Sequence, residues 1–120
     1  MQIIEAIQKT DELRFNSFSE EEKISWLNQL DWLIYRNIME EHEDCPEFEG
    51  YREAELDQEL LVPEPFCAMY IYWLQAQMDL VTGETDRYNA NILTFNHEYE
   101  GYEAWYKKHH MPLAHGPFRF

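Results

Sequence analysis

GETDRYNANILTFNHEYEGYEAW, residues 83–105, is the stretch whose reading decides how this chain folds. Within it and one turn beyond, Tyr88, Ile92, Phe95, Tyr99, Tyr102 and Tyr106 recur at alternating steps of four and three. On a helix that spacing stacks side chains on one face. The pattern therefore predicts a long helix with an aromatic seam, started near Gly83 with Thr85 as its cap and ended by Pro112. Asn89, Asn91 and Asn96 interrupt it with polar side chains of weak helix propensity. They must face water or find partners, and the Tyr hydroxyls of the seam are the expected ones.

Upstream of Gly83 the same alternation returns. Phe66, Tyr70, Trp73, Gln77 and Leu80 form one stripe, widened by Met69, Leu74 and Val81, so a helix is expected from about Glu64. Pro65 fits a first helical turn, and Gly83 supplies the left-handed residue that follows many helix ends. Two long helices joined by so short a turn lie antiparallel with their stripes facing. Tyr70, Trp73, Tyr88, Phe95, Tyr99 and Tyr102 are the predicted core of this hairpin.

Further out, Ser19 followed by Glu20, Glu21 and Glu22 is a capping box. From it Ile24, Leu27, Leu30, Ile34 and Ile38, with Trp26 and Leu33 at the margins, line a second helix from about Glu20 to about Glu41. Phe18 is placed to staple against Ile24. Ile3, Ile4 and Ile7 mark a short first helix that Phe15, Asn16 and Ser17 terminate. Residues 42–59 lack periodicity and contain Pro46 and Gly50, so they read as a long loop, with Phe48 and Tyr51 able to pin it to the core. The expected fold is all-α: a small bundle of about four helices with a C-terminal antiparallel hairpin and a long acidic loop. Residues 1–112 form one domain and 113–120 a tail.

With 120 residues and 45% hydrophobic content there is room for one core and not two. No apolar run approaches the ~20 residues that span a bilayer, and the start, Met1-Gln2-Ile3-Ile4-Glu5, lacks the pattern of a signal peptide. Synthesis in the cytoplasm is expected. Cys45 and Cys67 match neither a zinc nor a redox spacing, so both read as reduced.

Acids outnumber bases 24 to 9, a formal charge of −15. Such a chain does not associate unaided with nucleic acid or an anionic membrane. The acids concentrate between residues 40 and 64, where Arg52 is the single base. This segment is either a solvated loop or a repulsive wall.

No catalytic constellation emerges. His42, His97, His109, His110 and His115 match no metalloprotease or two-metal spacing, and the isolated glycines offer no phosphate cradle. His109 and His110, beside Lys107 and Lys108, are expected to meet the negative end of the last helix. No enzymatic activity, cofactor or metal is expected.

The motifs Gly-Glu-x-x-x-Tyr-Asn from Gly83, Phe-Asn-x-x-Tyr from Phe95 and the Trp105-Tyr106 pair before His110-Met111-Pro112 resemble the small helical head-tail connector (adaptor) proteins of long-tailed bacteriophages. The likeness extends back through Leu60-Leu61-Val62-Pro63-Glu64-Pro65-Phe66 to the start at Ser19, and is strongest after Leu60. The acidic stretch around Cys45 and Pro46 aligns with none of it. The resemblance implies a structural virion protein without enzymatic activity, assembled as a ring at the head-tail junction between the portal and the tail or stopper protein.

In such a ring an acid-lined channel repels phosphates, so DNA passes without specific binding. Glu47, Glu49, Glu53 and Glu55 are the candidate channel-facing acids. The C-terminal stretch gathers Lys107, Lys108, Phe118, Arg119 and Phe120, the candidate interface with the portal or a neighbouring copy, unless the tail folds back on its own domain. The alternative function is an acidic, DNA-mimicking helical inhibitor of a nucleic-acid enzyme.

Overall fold

Apolar periodicity places four α-helices along the chain, and four form. The computed structural model describes residues 1–52 and 54–113. It comprises α1 (Ile3–Leu13), α2 (Glu20–Ile34) running straight into a π-helical turn (Tyr35–Met39), a 3-10 turn (Phe66–Ala68), α3 (Met69–Thr82) and α4 (Thr85–His109). Two isolated antiparallel bridges join Gln2 to Glu59 and His42 to Pro112. The architecture is an all-α bundle in which α3 packs against α1, α2 and α4.

The start of α2 follows from its sequence. Ser19 Oγ accepts the Glu22 amide at 3.1 Å, while the Glu22 carboxylate accepts the Ser19 amide at 3.4 Å. Each satisfies a first-turn group that the helix leaves unpaired. Ser19→Ala should lower stability by about 1 kcal/mol, read from urea denaturation. Phe18 meets Trp26 edge-on, with ring centroids 5.3 Å apart. Ile24 is drawn into the core.

At its other end α2 stops as an α-helix at Ile34, short of Glu41. The chain widens into a π turn in which Glu40 N–H donates to Tyr35 C=O at 2.9 Å. Ile34, Ile38 and Met39 all face inward through this wider turn.

The hairpin closes as predicted through Gly83, whose φ of 75° is left-handed, and Glu84 N–H donates back to Asp79 C=O at 3.0 Å. Thr85 makes no capping bond and is already the first helical residue. The start of α3 is also later than Glu64: Phe66–Ala68 is a 3-10 turn, and the α-helix begins at Met69.

The seams are narrower than their spacing implied. Of the six predicted hairpin-core residues, Tyr70, Phe95 and Tyr102 are buried, whereas Trp73, Tyr88 and Tyr99 are half-buried. Leu80 is 60% exposed and Val81 is exposed with it. Because α3 is contacted on several sides, its buried set is Met69, Tyr70, Leu74, Ala76, Met78 and Asp79 rather than one stripe. On α2, Leu33 is 45% exposed and Asp31 takes a seam position.

The acidic segment and its buried anchors

Residues 40–65 carry no helix, yet they are fastened to the bundle at both ends and in the middle. Beside the start of α1, the amides of Ile3 and Ile4 donate to the carbonyls of Gln58 and Leu56, each at 2.9 Å, and Leu60 N–H donates to Met1 C=O at 2.9 Å. These bonds satisfy amides that a helix N-terminus leaves free. In the middle, Phe48 packs edge-on to Trp32 with centroids 4.8 Å apart, and also meets Tyr35 and Tyr51. Gly50, with a φ of 87°, passes so close to α2 that an added Cβ would stand 2.9 Å from Asn28 Oδ1 and 3.1 Å from Trp32 Nε1. The neighbouring Tyr51 amide donates to that same Asn28 oxygen at 3.0 Å. Phe48 and Tyr51 thus do pin the segment. Its acids, Glu47, Glu49 and Glu55 among them, stay exposed, and Glu53 lies outside the described residues.

Beneath the segment lies Asp31, fully buried on α2. Tyr70 O–H of α3 donates to its Oδ1 at 2.7 Å, while Tyr51 O–H and, at 3.1 Å, Leu61 N–H donate to its Oδ2. Tyr70 Oη in turn accepts Val62 N–H at 2.9 Å. One carboxylate therefore joins α2, α3 and two points of the acidic segment. Burial without a neighbouring cation pushes its carboxyl up from the ordinary 3.8 to about 6, against the pull of its three donors. The same burial and the adjacent carboxylate raise the Tyr51 and Tyr70 hydroxyls well above their usual value, so both remain protonated donors. A signal for Asp31 was present in the sequence. Positions 24, 27, 31, 34 and 38 continue the three-four alternation, with an acid in the middle of an apolar series.

A second buried acid, Asp79 of α3, is fully inaccessible. Arg14 Nη1 donates to its Oδ1 and to Gln75 C=O, and Asn91 Nδ2 of α4 donates to its Oδ2 at 2.8 Å. This cluster locks three helices together. It also corrects the role of the asparagines: Asn91 serves Asp79, Asn89 and Asn96 are exposed, and Tyr70 finds its partner in Asp31. Lys23 makes a third link, its Nζ 2.9 Å from Asp11 across α2 and α1.

At the far end of α4, Lys107 and Lys108 are exposed, and Lys107 Nζ stands 3.8 Å from Glu103. The rings of His109 and His110 meet the last-turn carbonyls of Trp105 and Tyr106 at 2.8 and 3.0 Å, as the helix dipole favours. The start of the tail folds back onto its own domain. Glu43 N–H donates to Met111 C=O at 2.7 Å, and Leu113 N–H donates to Glu41 C=O at 3.0 Å. Phe118, Arg119 and Phe120 lie outside the described residues.

Beside the acidic segment, the outer face of α2 forms an open groove of about 540 Å3 lined by Asn28, Gln29, Trp32, Leu33, Arg36 and Asn37. Arg36 Cζ sits 5.4 Å from the Trp32 ring centroid. Both cysteines are free, and burial together with Glu64 raises the Cys67 thiol to about 11, which keeps it protonated and unreactive. Among the described residues no three His, Cys, Asp or Glu side chains come together as metal ligands, and no helix is long and apolar enough to cross a membrane. What the geometry offers is an ordered acidic surface on a helical platform. Comparison with protein-family models, with curated proteins and with solved structures finds no match to this chain.

Proposed function

We propose that this chain is a structural protein of a long-tailed phage or prophage, one subunit of a head-tail connector ring between the portal and the tail or stopper protein. The sequence motifs between residues 60 and 112 suggest the family. The observation that carries the reading furthest is the acidic segment, which is held near residues 56–60 by the start of α1, near residues 41–43 by Met111 and Leu113, and at its centre by Trp32, with its carboxylates left in water. A wall that lets DNA slide needs carboxylates held in fixed positions, because a mobile loop with the same charge would yield to the passing strand. Glu47, Glu49 and Glu55 are such groups here. Lys107 and Lys108, on the other hand, offer cations to an acidic neighbour in a chain that otherwise repels its own copies.

Electron microscopy of particles made after deleting the gene tests the reading. DNA-filled or leaking heads separated from finished tails are the expected result. Normal tailed virions would overturn it and bring the DNA-mimicking inhibitor forward. A more specific test replaces Glu47, Glu49 and Glu55 together with Lys. DNA release from the resulting particles should slow or stall, because lysines bind the phosphates that the acids repel.

A further inference from the structure

The acidic segment hangs on a carboxylate that pays for being ionised in its closed position. Asp31 is fully buried, accepts from Tyr51, Leu61 and Tyr70, and its charge is felt by Tyr102 of α4. The titratable groups facing it are thus Tyr51 from the segment, Tyr70 from α3 and Tyr102 from α4, all phenols held neutral by burial. No Lys, Arg or His among the described residues forms an ion pair with it. Asp79, the other fully buried acid, differs in having Arg14. Two of the three bonds that Asp31 accepts, those from Tyr51 O–H and Leu61 N–H, come from the segment itself, and Val62 N–H of the same segment donates to Tyr70. Lifting the segment therefore opens a water path to Asp31 without unfolding a helix.

We infer that the described stretches 48–52 and 54–62 form a pH-sensitive strap latched by Asp31, closed when that carboxyl is neutral and loosened when it is ionised. An uncompensated buried anion gains hydration on opening, and a neutral acid does not. The sign follows from linkage. The closed-state value is raised, so the stabilisation is complete below the ordinary 3.8 and is lost as the pH rises through about 6. From those two values, the open-to-closed ratio rises about tenfold between pH 5 and pH 7.5, then levels off.

The device needs no ligand and acts in the range where a cell or a medium changes pH. Opening releases the Tyr51 side chain and frees the backbone next to Glu47 and Glu49, so the position of the acidic surface is what pH controls.

Hydrogen exchange of single amides by NMR, corrected for the intrinsic pH dependence of exchange, tests the strap on the full chain. The Leu61 amide, which donates to Asp31, reports opening, and the Leu74 amide in the centre of α3 reports global unfolding. Leu61 should lose protection about tenfold from pH 5 to pH 7.5 while staying less protected than Leu74 at every pH, because the strap opens at lower cost than the fold. Asp31→Asn should abolish that dependence. Since the amide of Asn also introduces a donor among donors and can weaken the fold, Tyr51→Phe supplies a second variant: it removes one tie, so Leu61 should exchange faster at every pH while remaining less protected than Leu74. Flat protection of Leu61 across the range, an equal pH dependence in Asp31→Asn, protection of Leu61 as high as that of Leu74, or unaltered exchange in Tyr51→Phe would each overturn the inference.

Discussion

Replacing Arg14 with Met lowers the unfolding free energy by roughly 3–5 kcal/mol, the cost of leaving a buried charge without its partner. Arg14 ends α1, reaches across to α3, and is 18% exposed, whereas Asp79 is completely enclosed. Met fills much of the same volume, so the loss is electrostatic more than steric. What remains at Asp79 is Asn91, a neutral donor that satisfies one oxygen and none of the charge. The fall in Tm is on the order of 10 °C for a domain of this size. A double-mutant cycle separates the contributions: Arg14→Met with Asp79→Asn removes both charges and should recover a large part of the loss. Urea denaturation at neutral pH is the measurement. A loss below about 1 kcal/mol in the single variant would mean that Asp79 is hydrated in solution.

Phe95→Ala is expected to cost about 3–5 kcal/mol, while Tyr88→Ala, two turns earlier on the same seam, costs about 1 kcal/mol or less. The two residues are equivalent in the sequence pattern and unequal in the fold. Phe95 is buried against Trp73, with ring centroids 5.2 Å apart, and against Tyr99 at 5.8 Å. Its removal opens a cavity between α3 and α4 that rigid aromatic neighbours cannot close. Tyr88 stands half-buried in the first turn of α4, beside the hairpin end, where water replaces the lost contacts. Equal costs at the two sites would show that the seam is buried along its whole length in solution.

Lowering the net negative charge by acidification reduces self-repulsion across the whole surface, which adds to any local effect of Asp31. Comparing the Leu61 amide with the same amide in Asp31→Asn removes that shared contribution. For the same reason, a global melting curve against pH is a weaker probe of the strap than exchange at one amide.

How much of the fold was legible can be followed through single residues. The four helices, the Ser19 cap, the left-handed Gly83 and the antiparallel hairpin all rest on interactions within a few residues, so spacing and residue type were enough to place them. The acidic segment was legible as helix-free for the same reason. Its order was not, because it depends on Trp32, Asn28 and the start of α1, each distant in sequence. Phe48 and Tyr51 signalled that it could be pinned without indicating to what.

The candidate site divides along the same line. Exposed acids at Glu47, Glu49 and Glu55 follow from charge density alone, since so many like charges cannot be buried. Among the described residues the two buried acids are Asp31 and Asp79, and it is their partners that set them apart from the exposed ones. Asp31 sits in an apolar series, and that hint was readable, but Tyr51, Leu61 and Tyr70 reach it from three other stretches of chain. Asp79 carried no hint, because α3 is enclosed on several sides and its burial obeys no single period.

The sequence by itself determined the helices, their order, the hairpin and the acidic character of the surface, since propensity, capping and periodicity act over one or two turns. Only the tertiary structure decided which side of each aromatic seam is dry, where α2 widens into a π turn, and which carboxylates are withdrawn from water. Those outcomes depend on desolvation, a property of everything packed around a group, and no local pattern of residues contains it.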